Sequence, residues 1–244
     1  MSKPFKDLFD SIVDIIFPPQ CLICGEIASS GLCLICRASF QALVPPLCEI
    51  CSVPVETAEP SILCNKCRDS RPAYDKAWSL FVYDGAVKKA IQDFKYHGVS
   101  GFHRVFGELL SGRLKRELVD TQIDLIVPVP LHPSRERSRG YNQALLMARS
   151  CASLLSLPLL GSSLVRNRHT DSLADQGRKE RYASLEGVFS LQNKISLKGK
   201  KILLIDDIMT TGATFHQCAR VLKEGAASHI YGITVARTVS HECV

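Results

Sequence analysis

Between Lys201 and Ala226 the sequence reads KILLIDDIMTTGATFHQCARVLKEGA, and few folds accommodate it. The uninterrupted apolar run Ile202 to Ile205 has the composition of a strand buried on both faces. It ends in two carboxylates, Asp206 and Asp207. A short threonine and glycine turn then opens into an amphipathic helix from about Ala213 to Glu224, stopped by Gly225. A strand covered on both sides needs helices above and below it, which implies a mostly parallel sheet. The rest of the chain after residue 76 agrees. AWSLFVYD, IDLIVPVPL and HIYGITVAR read as strands. AVKKAIQDFKYHG, FHRVFGELLSGRLKREL and the stretch from about Asn142 to Leu155 read as helices, and shorter apolar runs fall at Leu164-Val165 and Gly187 to Leu191.

The turn has its own chemistry. Backbone N–H groups of Thr211, Gly212, Ala213 and Thr214 fall at a helix amino terminus, where they can bind a phosphate monoester. Gly212 lets the backbone approach the anion, and the hydroxyls of Thr210, Thr211 and Thr214 add donors. Two carboxylates beside a phosphate site need partners other than the phosphate. Ribose hydroxyls, and magnesium or its waters, are the natural ones. The turn lacks the lysine of G-x-x-x-x-G-K-[ST], which disfavours a P-loop nucleotidase.

A different framework precedes this domain. Eight of the eleven cysteines form four C-x-x-C pairs: Cys21/Cys24, Cys33/Cys36, Cys48/Cys51 and Cys64/Cys67. Two such turns complete one tetrahedral site of four thiolates, so four turns imply two structural zinc ions, paired sequentially or interleaved. Disulfides fit poorly with a chain expected to stay in the reducing cytoplasm, and a redox C-x-x-C normally occurs once. The segment has too few apolar residues for its own core, so metal would supply most of its folding energy. The expected organisation is residues 1–75 as an amphipathic N-terminal helix and small double zinc ribbon, and residues 76–244 as the α/β domain. Cys151, Cys218 and Cys243 read as ordinary residues.

The opening segment places Phe5, Leu8, Phe9, Ile12, Val13, Ile15 and Ile16 near helical spacing before Pro18-Pro19. It reads as a helix that docks on the rest of the protein. Asp7, Asp10 and Asp14 interrupt it, no run approaches a membrane span, and stable membrane insertion is not expected. Charge is unevenly spread. Residues 1–75 hold six lysines and arginines against nine acids, a net of −3, which leaves +9 on the remainder of a chain whose total is +6. Any contact with single-stranded DNA is therefore expected on the larger domain, through basic stretches such as Arg135 to Arg139 and Lys194 to Lys201. Tyr96, Phe102 and Tyr141 lie near these stretches as aromatics able to stack on bases. His97, His103, His132 and His169 are not at metal spacing, and His132 stands beside the turn after IDLIVPVPL.

ILLIDDIMTTGAT resembles the phosphoribosyl pyrophosphate signature of type I phosphoribosyltransferases. Paired zinc ribbons, then YDGAVKKAIQDFKYHG, PVPLHPSRERSRGYNQA and the signature, look like the ComF family of competence-associated proteins. The resemblance implies that Asp206 and Asp207 contact the ribose and magnesium waters, and that Thr210 to Thr214 hold the 5-phosphate. The turn after Pro128 to Leu131 would face the pyrophosphate, with Arg135 and Arg139 nearby, and Arg166 to Arg181 would form a mobile lid. Leu173 and Ser184 depart from the Gln and Asn of the lid pattern. The implied role is uptake or processing of single-stranded DNA during natural transformation, with DNA-uptake proteins as partners. The alternative is transfer of phosphoribose to an unidentified acceptor, and a metabolite sensor on the same fold is a third reading. Thr210 stands where purine-salvage relatives carry an acid, which disfavours a purine acceptor.

Overall fold

The computed structural model describes residues 18–56, 62–168, 184–192 and 196–239. The apolar opening segment, His169, most of the lid stretch, Lys194 and Cys243 lie outside the described residues. The ribbon contributes α1 (Leu34–Ala38) and α2 (Asn65–Asp69). Next come β1 (Lys76–Val82), α3 (Gly85–Tyr96), α4 (Phe102–Thr121), β2 (Leu125–Pro128), α5 (Pro133–Arg139) and α6 (Gln143–Leu155). The chain continues through β3 (Leu164–Arg166), β4 (Phe189–Leu191), β5 (Lys201–Met209), α7 (Ala213–Glu224) and β6 (His229–Arg237).

Four strands form the parallel sheet, in the order β1-β6-β5-β2. The expected α/β class is therefore observed, with helices on both faces. Strand periodicity divides the core in two. Ile202 and Leu204 of β5 pack with Leu125, Val127, α7 residues and Phe189. Leu203 and Ile205 face the other way, into Phe94 of α3, Phe106 and Leu110 of α4, and Met147 of α6. α4 and α6 cross closely at Gly107, where a Cβ would stand 2.3 Å from the Cβ of Ser150.

Three features go beyond the sequence reading. β5 runs through both carboxylates to Met209 and does not end at Ile205, because β6 stays paired with it as far as Arg237. The apolar runs of β3 and β4 form an antiparallel pair apart from the main sheet. The basic stretch after His132 is the short helix α5, with Pro133 in its first turn.

The ribbon straddles the edge of the sheet. Cys21 and Cys36 pack with the α3, α4 and α6 face, and Cys48, Cys51, Cys64 and Cys67 with the α7 face. Between the two cysteine groups the chain runs antiparallel along β1. The Leu43 N–H donates to the Leu80 carbonyl at 3.0 Å, and the Val82 N–H to the Gln41 carbonyl at 2.9 Å. Edge strand β1 is thereby covered. Among the described residues, the buried side chains of the ribbon belong to the two cores of the α/β domain. Among the described residues, no helix is long and apolar enough to cross a membrane.

Candidate functional site

A cavity of about 520 Å³ opens at the carboxyl ends of β2 and β5, within the size range of small-molecule sites. In an open parallel sheet this is where ligands bind. Asp206, Asp207, Thr210, Thr211, Ala213 and Thr214 line it from β5 and the turn, and Arg135 and Arg139 from α5. Gly212 lines a small adjoining recess. The structure therefore brings every sequence-derived residue of the phosphate turn and both arginines to one place. Lys95, Tyr83, Tyr96 and Arg166 join them, and the sequence reading had not assigned the first two.

The turn is built as its sequence requires. Gly212 has φ +80°, a conformation that glycine adopts without strain, and it caps α7. A Cβ there would stand 2.9 Å from the Tyr74 hydroxyl and 3.0 Å from Met209 Cε. The Thr211 hydroxyl accepts from the Ala213 N–H at 3.4 Å.

Period-two geometry separates the two acids. Asp206 lies on the α7 side of β5, and Asp207 on the side facing α3. There Lys95 Nζ meets Asp207 Oδ1 at 2.7 Å, both side chains being largely buried. Desolvation works against the Lys95 ammonium, but the charge of Asp207 outweighs it and holds the pKa above the usual lysine value. Asp206 keeps part of its surface on the cavity and accepts the Asp207 N–H at 2.8 Å. Burial, seconded by the charge of Asp207, pushes its carboxyl up to about 7. A carboxylate so placed is one that a cation or hydroxyl donors would relieve.

Cations line the same cavity. Arg166 is depressed by burial and then by the like charge of Arg135. Arg139 lies 5.3 Å over the Tyr96 ring and donates to Gln143 Oε1. Three guanidiniums and one ammonium face two carboxylates, a balance that favours a ligand with several negative charges. His132 serves a structural purpose: its Nδ1 accepts the Ser134 N–H at the start of α5. Of the aromatics named for stacking, Phe102 is fully buried against Phe106, and Tyr141 stacks on Phe94 while its hydroxyl donates to the Phe94 carbonyl. Tyr96 alone of the three is well exposed.

Lys95 had a signal in the sequence. It falls four residues after Ile91 and eight after Val87, both fully buried on α3. A lysine on an apolar helical stripe needs a buried anion.

The cysteines gather as two groups, Cys21, Cys24, Cys33 and Cys36, and Cys48, Cys51, Cys64 and Cys67. This is the sequential pairing. All four sulfurs of each group lie within 4.8 Å of one another. The Cys24 and Cys33 sulfurs are 3.7 Å apart, and those of Cys51 and Cys64 3.8 Å. A tetrahedral zinc site with bonds of about 2.3 Å has sulfur edges of about 3.8 Å, so both groups fit structural zinc. Without a cation the inner sulfurs drive one another's ionisation apart. Hydrogen bonds from Cys51, Cys64 and Cys67 hold Cys48 well below the usual thiol range, and its neighbours push Cys67 well above it.

Two domain families match the chain: the double zinc ribbon domain over residues 12–70 and the phosphoribosyl transferase domain over residues 142–241. Fold and site thus define a phosphoribosyltransferase-type protein with an amino-terminal double zinc ribbon. Competence protein F of Haemophilus influenzae is 28% identical over 225 residues, covering 89% of this chain and 96% of that protein. Competence protein ComFC of Bacillus subtilis is 28% identical over 215 residues, 85% of this chain and 84% of the relative. DNA utilization protein YhgH of Salmonella typhimurium is 25% identical over 228 residues, 91% of this chain and 98% of its own. Over most of its length the chain is thus similar to ComF-type competence proteins, with the double zinc ribbon and the phosphoribosyl transferase domain both matched. Lys95, Arg135 and Arg139 lie between the two matched domains, in the segment that supplies the cavity's other wall.

Proposed function

We propose that the cavity binds phosphoribosyl pyrophosphate with magnesium, and that the protein acts in uptake or processing of single-stranded DNA during natural transformation. The carrying observation is the convergence of a helix amino terminus, two carboxylates and three guanidiniums on one cavity. In this reading the 5-phosphate sits on the Thr210–Thr214 turn. Asp206 and Asp207 serve the ribose hydroxyls and magnesium waters, and Arg135, Arg139 and Arg166 take the pyrophosphate. The DNA role is supported by the names of the competence and DNA utilization relatives. DNA contacts belong on the basic larger domain, with Tyr96 under Arg139 as its exposed aromatic.

Calorimetry with phosphoribosyl pyrophosphate and magnesium tests the first half. Binding is expected in the full chain and lost in the Asp206→Asn, Asp207→Asn double variant, whose zinc content and melting curve stay those of a folded protein. Equal affinity in the double variant refutes the assignment. Affinity should rise as pH passes upward through about 7, because Asp206 then carries the charge that ribose hydroxyls and magnesium waters require.

A second reading, transfer of phosphoribose to a non-purine acceptor, is favoured by Arg135 and Arg166. Their like charges share the cavity and could stabilise a leaving pyrophosphate. Pyrophosphate release over a panel of nucleobases separates the readings: binding without release supports the accessory role.

A further inference from the structure

We propose that the linker between the two cysteine groups is a docking edge for an extended acidic segment of another protein, which pairs with Ala42 and lays its side chains in the groove between the linker and α4. The proposal stands apart from the reading of the sugar-phosphate cavity and uses none of its residues.

The linker covers β1 but becomes an edge itself. Its bonds to β1 run from the Leu43 N–H to the Leu80 carbonyl and from the Val82 N–H to the Gln41 carbonyl. They flank Ala42, which stands opposite Phe81. In an antiparallel ladder the residues between such bonds form a non-hydrogen-bonded pair, whose own N–H and C=O groups point away from the partner strand. The Ala42 donor and acceptor therefore face outward, and Ala42 is exposed. Val44, two residues on, is 69% exposed. Pro45 and Pro46 then end the free edge, because they carry no N–H. An edge of this kind can accept one more strand.

Beside the edge lies a groove of about 480 Å³. Its apolar part comes from Leu43, Pro45, Leu80 and Leu109, and Ala42 lines it as well. Arg37 of α1 and Arg113 and Arg116 of α4 supply cations against the single acid Glu108. Glu117 holds Arg113 at 2.7 Å. Arg37 and Arg116 meet no carboxylate among the described residues. A guanidinium suits a carboxylate through paired hydrogen bonds, so acids on a docked strand match these two.

These features favour a peptide over other occupants. A nucleic-acid strand would find the same cations but has no use for a main-chain donor and acceptor. Phe81, the aromatic residue that lines the groove, is already packed edge-on against Phe40 with ring centres 5.2 Å apart. A second copy joined edge to edge would bring both sets of arginines to one seam, where like charges oppose association.

The test selects partners by their chemistry. Phage-displayed random peptides of about twelve residues are selected on the zinc-loaded full chain, and recovered sequences are measured by fluorescence anisotropy. They are expected to alternate Asp or Glu with Val, Ile or Phe, and to bind less tightly as salt is raised. Ala42→Pro removes the outward N–H without touching a bond to β1. It should weaken peptide binding about tenfold or more while zinc content and melting temperature hold. Arg37→Glu with Arg116→Glu should weaken it by at least as much. Methylation of the peptide's own nitrogens keeps the test decisive if Ala42→Pro fails to fold: binding should fall when alternate nitrogens are methylated in one register and hold in the other. Recovery of no peptide, a recovered set without acids, full binding by either variant, or indifference to register overturns the proposal. Oligo-dT that competes with a recovered peptide, and whose binding is lost in the arginine variant but kept in Ala42→Pro, overturns it in favour of a nucleic-acid strand.

Discussion

The two cysteine groups share a ligand set and a spacing motif, yet the protein uses them differently. In the outer group Cys24 is exposed and Cys33 half-buried, and the neighbouring Leu34 and Ile35 of α1 stand in solvent. In the inner group all four cysteines are buried, in one core with β5 and α7. The inner group is also wired to the sheet. Arg237 at the end of β6 donates to the Cys51 carbonyl, and the Ala77 N–H of β1 donates to the Ile50 carbonyl at 2.7 Å. Just beyond it, the Ala73 N–H donates to Nδ1 of His216 on α7, and the Tyr74 hydroxyl lies against Gly212. A metal motif supplies the same four ligands wherever it occurs. What folds with it depends on how much of the surrounding apolar surface it shares.

The largest expected effect follows directly. Cys51→Ser with Cys64→Ser should cost one zinc and the cooperative fold of the whole chain, lowering the melting temperature by more than about 10 °C or preventing recovery of folded protein. Cys24→Ser with Cys33→Ser should also cost one zinc, but leave a cooperative transition and ligand binding. Zinc analysis beside thermal denaturation checks both pairs, and equal losses would break the comparison.

Next in size is Arg237→Met. Its guanidinium is buried beside a site that carries about two negative charges when loaded with zinc. Removing it leaves the Cys51 carbonyl without that donor and the charge uncompensated, for an expected loss of about 2–4 kcal/mol in denaturant titration. A loss below about 0.5 kcal/mol would mean that the inner site is less tightly joined to the sheet than its contacts indicate.

Gly212→Ala sharpens the link between the inner group and the site. The strained φ and the clash with Tyr74 should cost about 1–2 kcal/mol and weaken binding of phosphoribosyl pyrophosphate. Tyr74→Phe in the same background should recover part of the stability, because the atom met at 2.9 Å is removed. The smallest effect belongs to the outer face: Ile35→Ser, at a position 82% exposed, should change stability by no more than about 0.5 kcal/mol.

Legibility in the sequence followed locality. The phosphate turn could be read because strand, acids, glycine and helix are contiguous from Lys201 to Glu224, and the structure places them together. The strand and helix alternation, the Gly225 stop and the four cysteine turns were legible for the same reason. The continuation of β5 to Met209 was not, since acids rarely sit inside a strand and only the pairing with β6 holds them there. Phe102 and Tyr141 read as possible stacking platforms from their neighbours in sequence, but helix packing buries one and ties the other to α3.

The sequence by itself determined the metal chemistry, the parallel α/β class and the anion-binding turn, because each is set by residue types at fixed short spacing. Only the tertiary structure decided that the cysteines pair sequentially and that the ribbon covers the edge of β1. It alone revealed that Lys95 holds Asp207. These joins connect residues far apart along the chain, Gln41 with Val82 and Lys95 with Asp207. Spacing along the chain carries no record of such meetings; they depend on which faces of the sheet the helices and the ribbon come to cover.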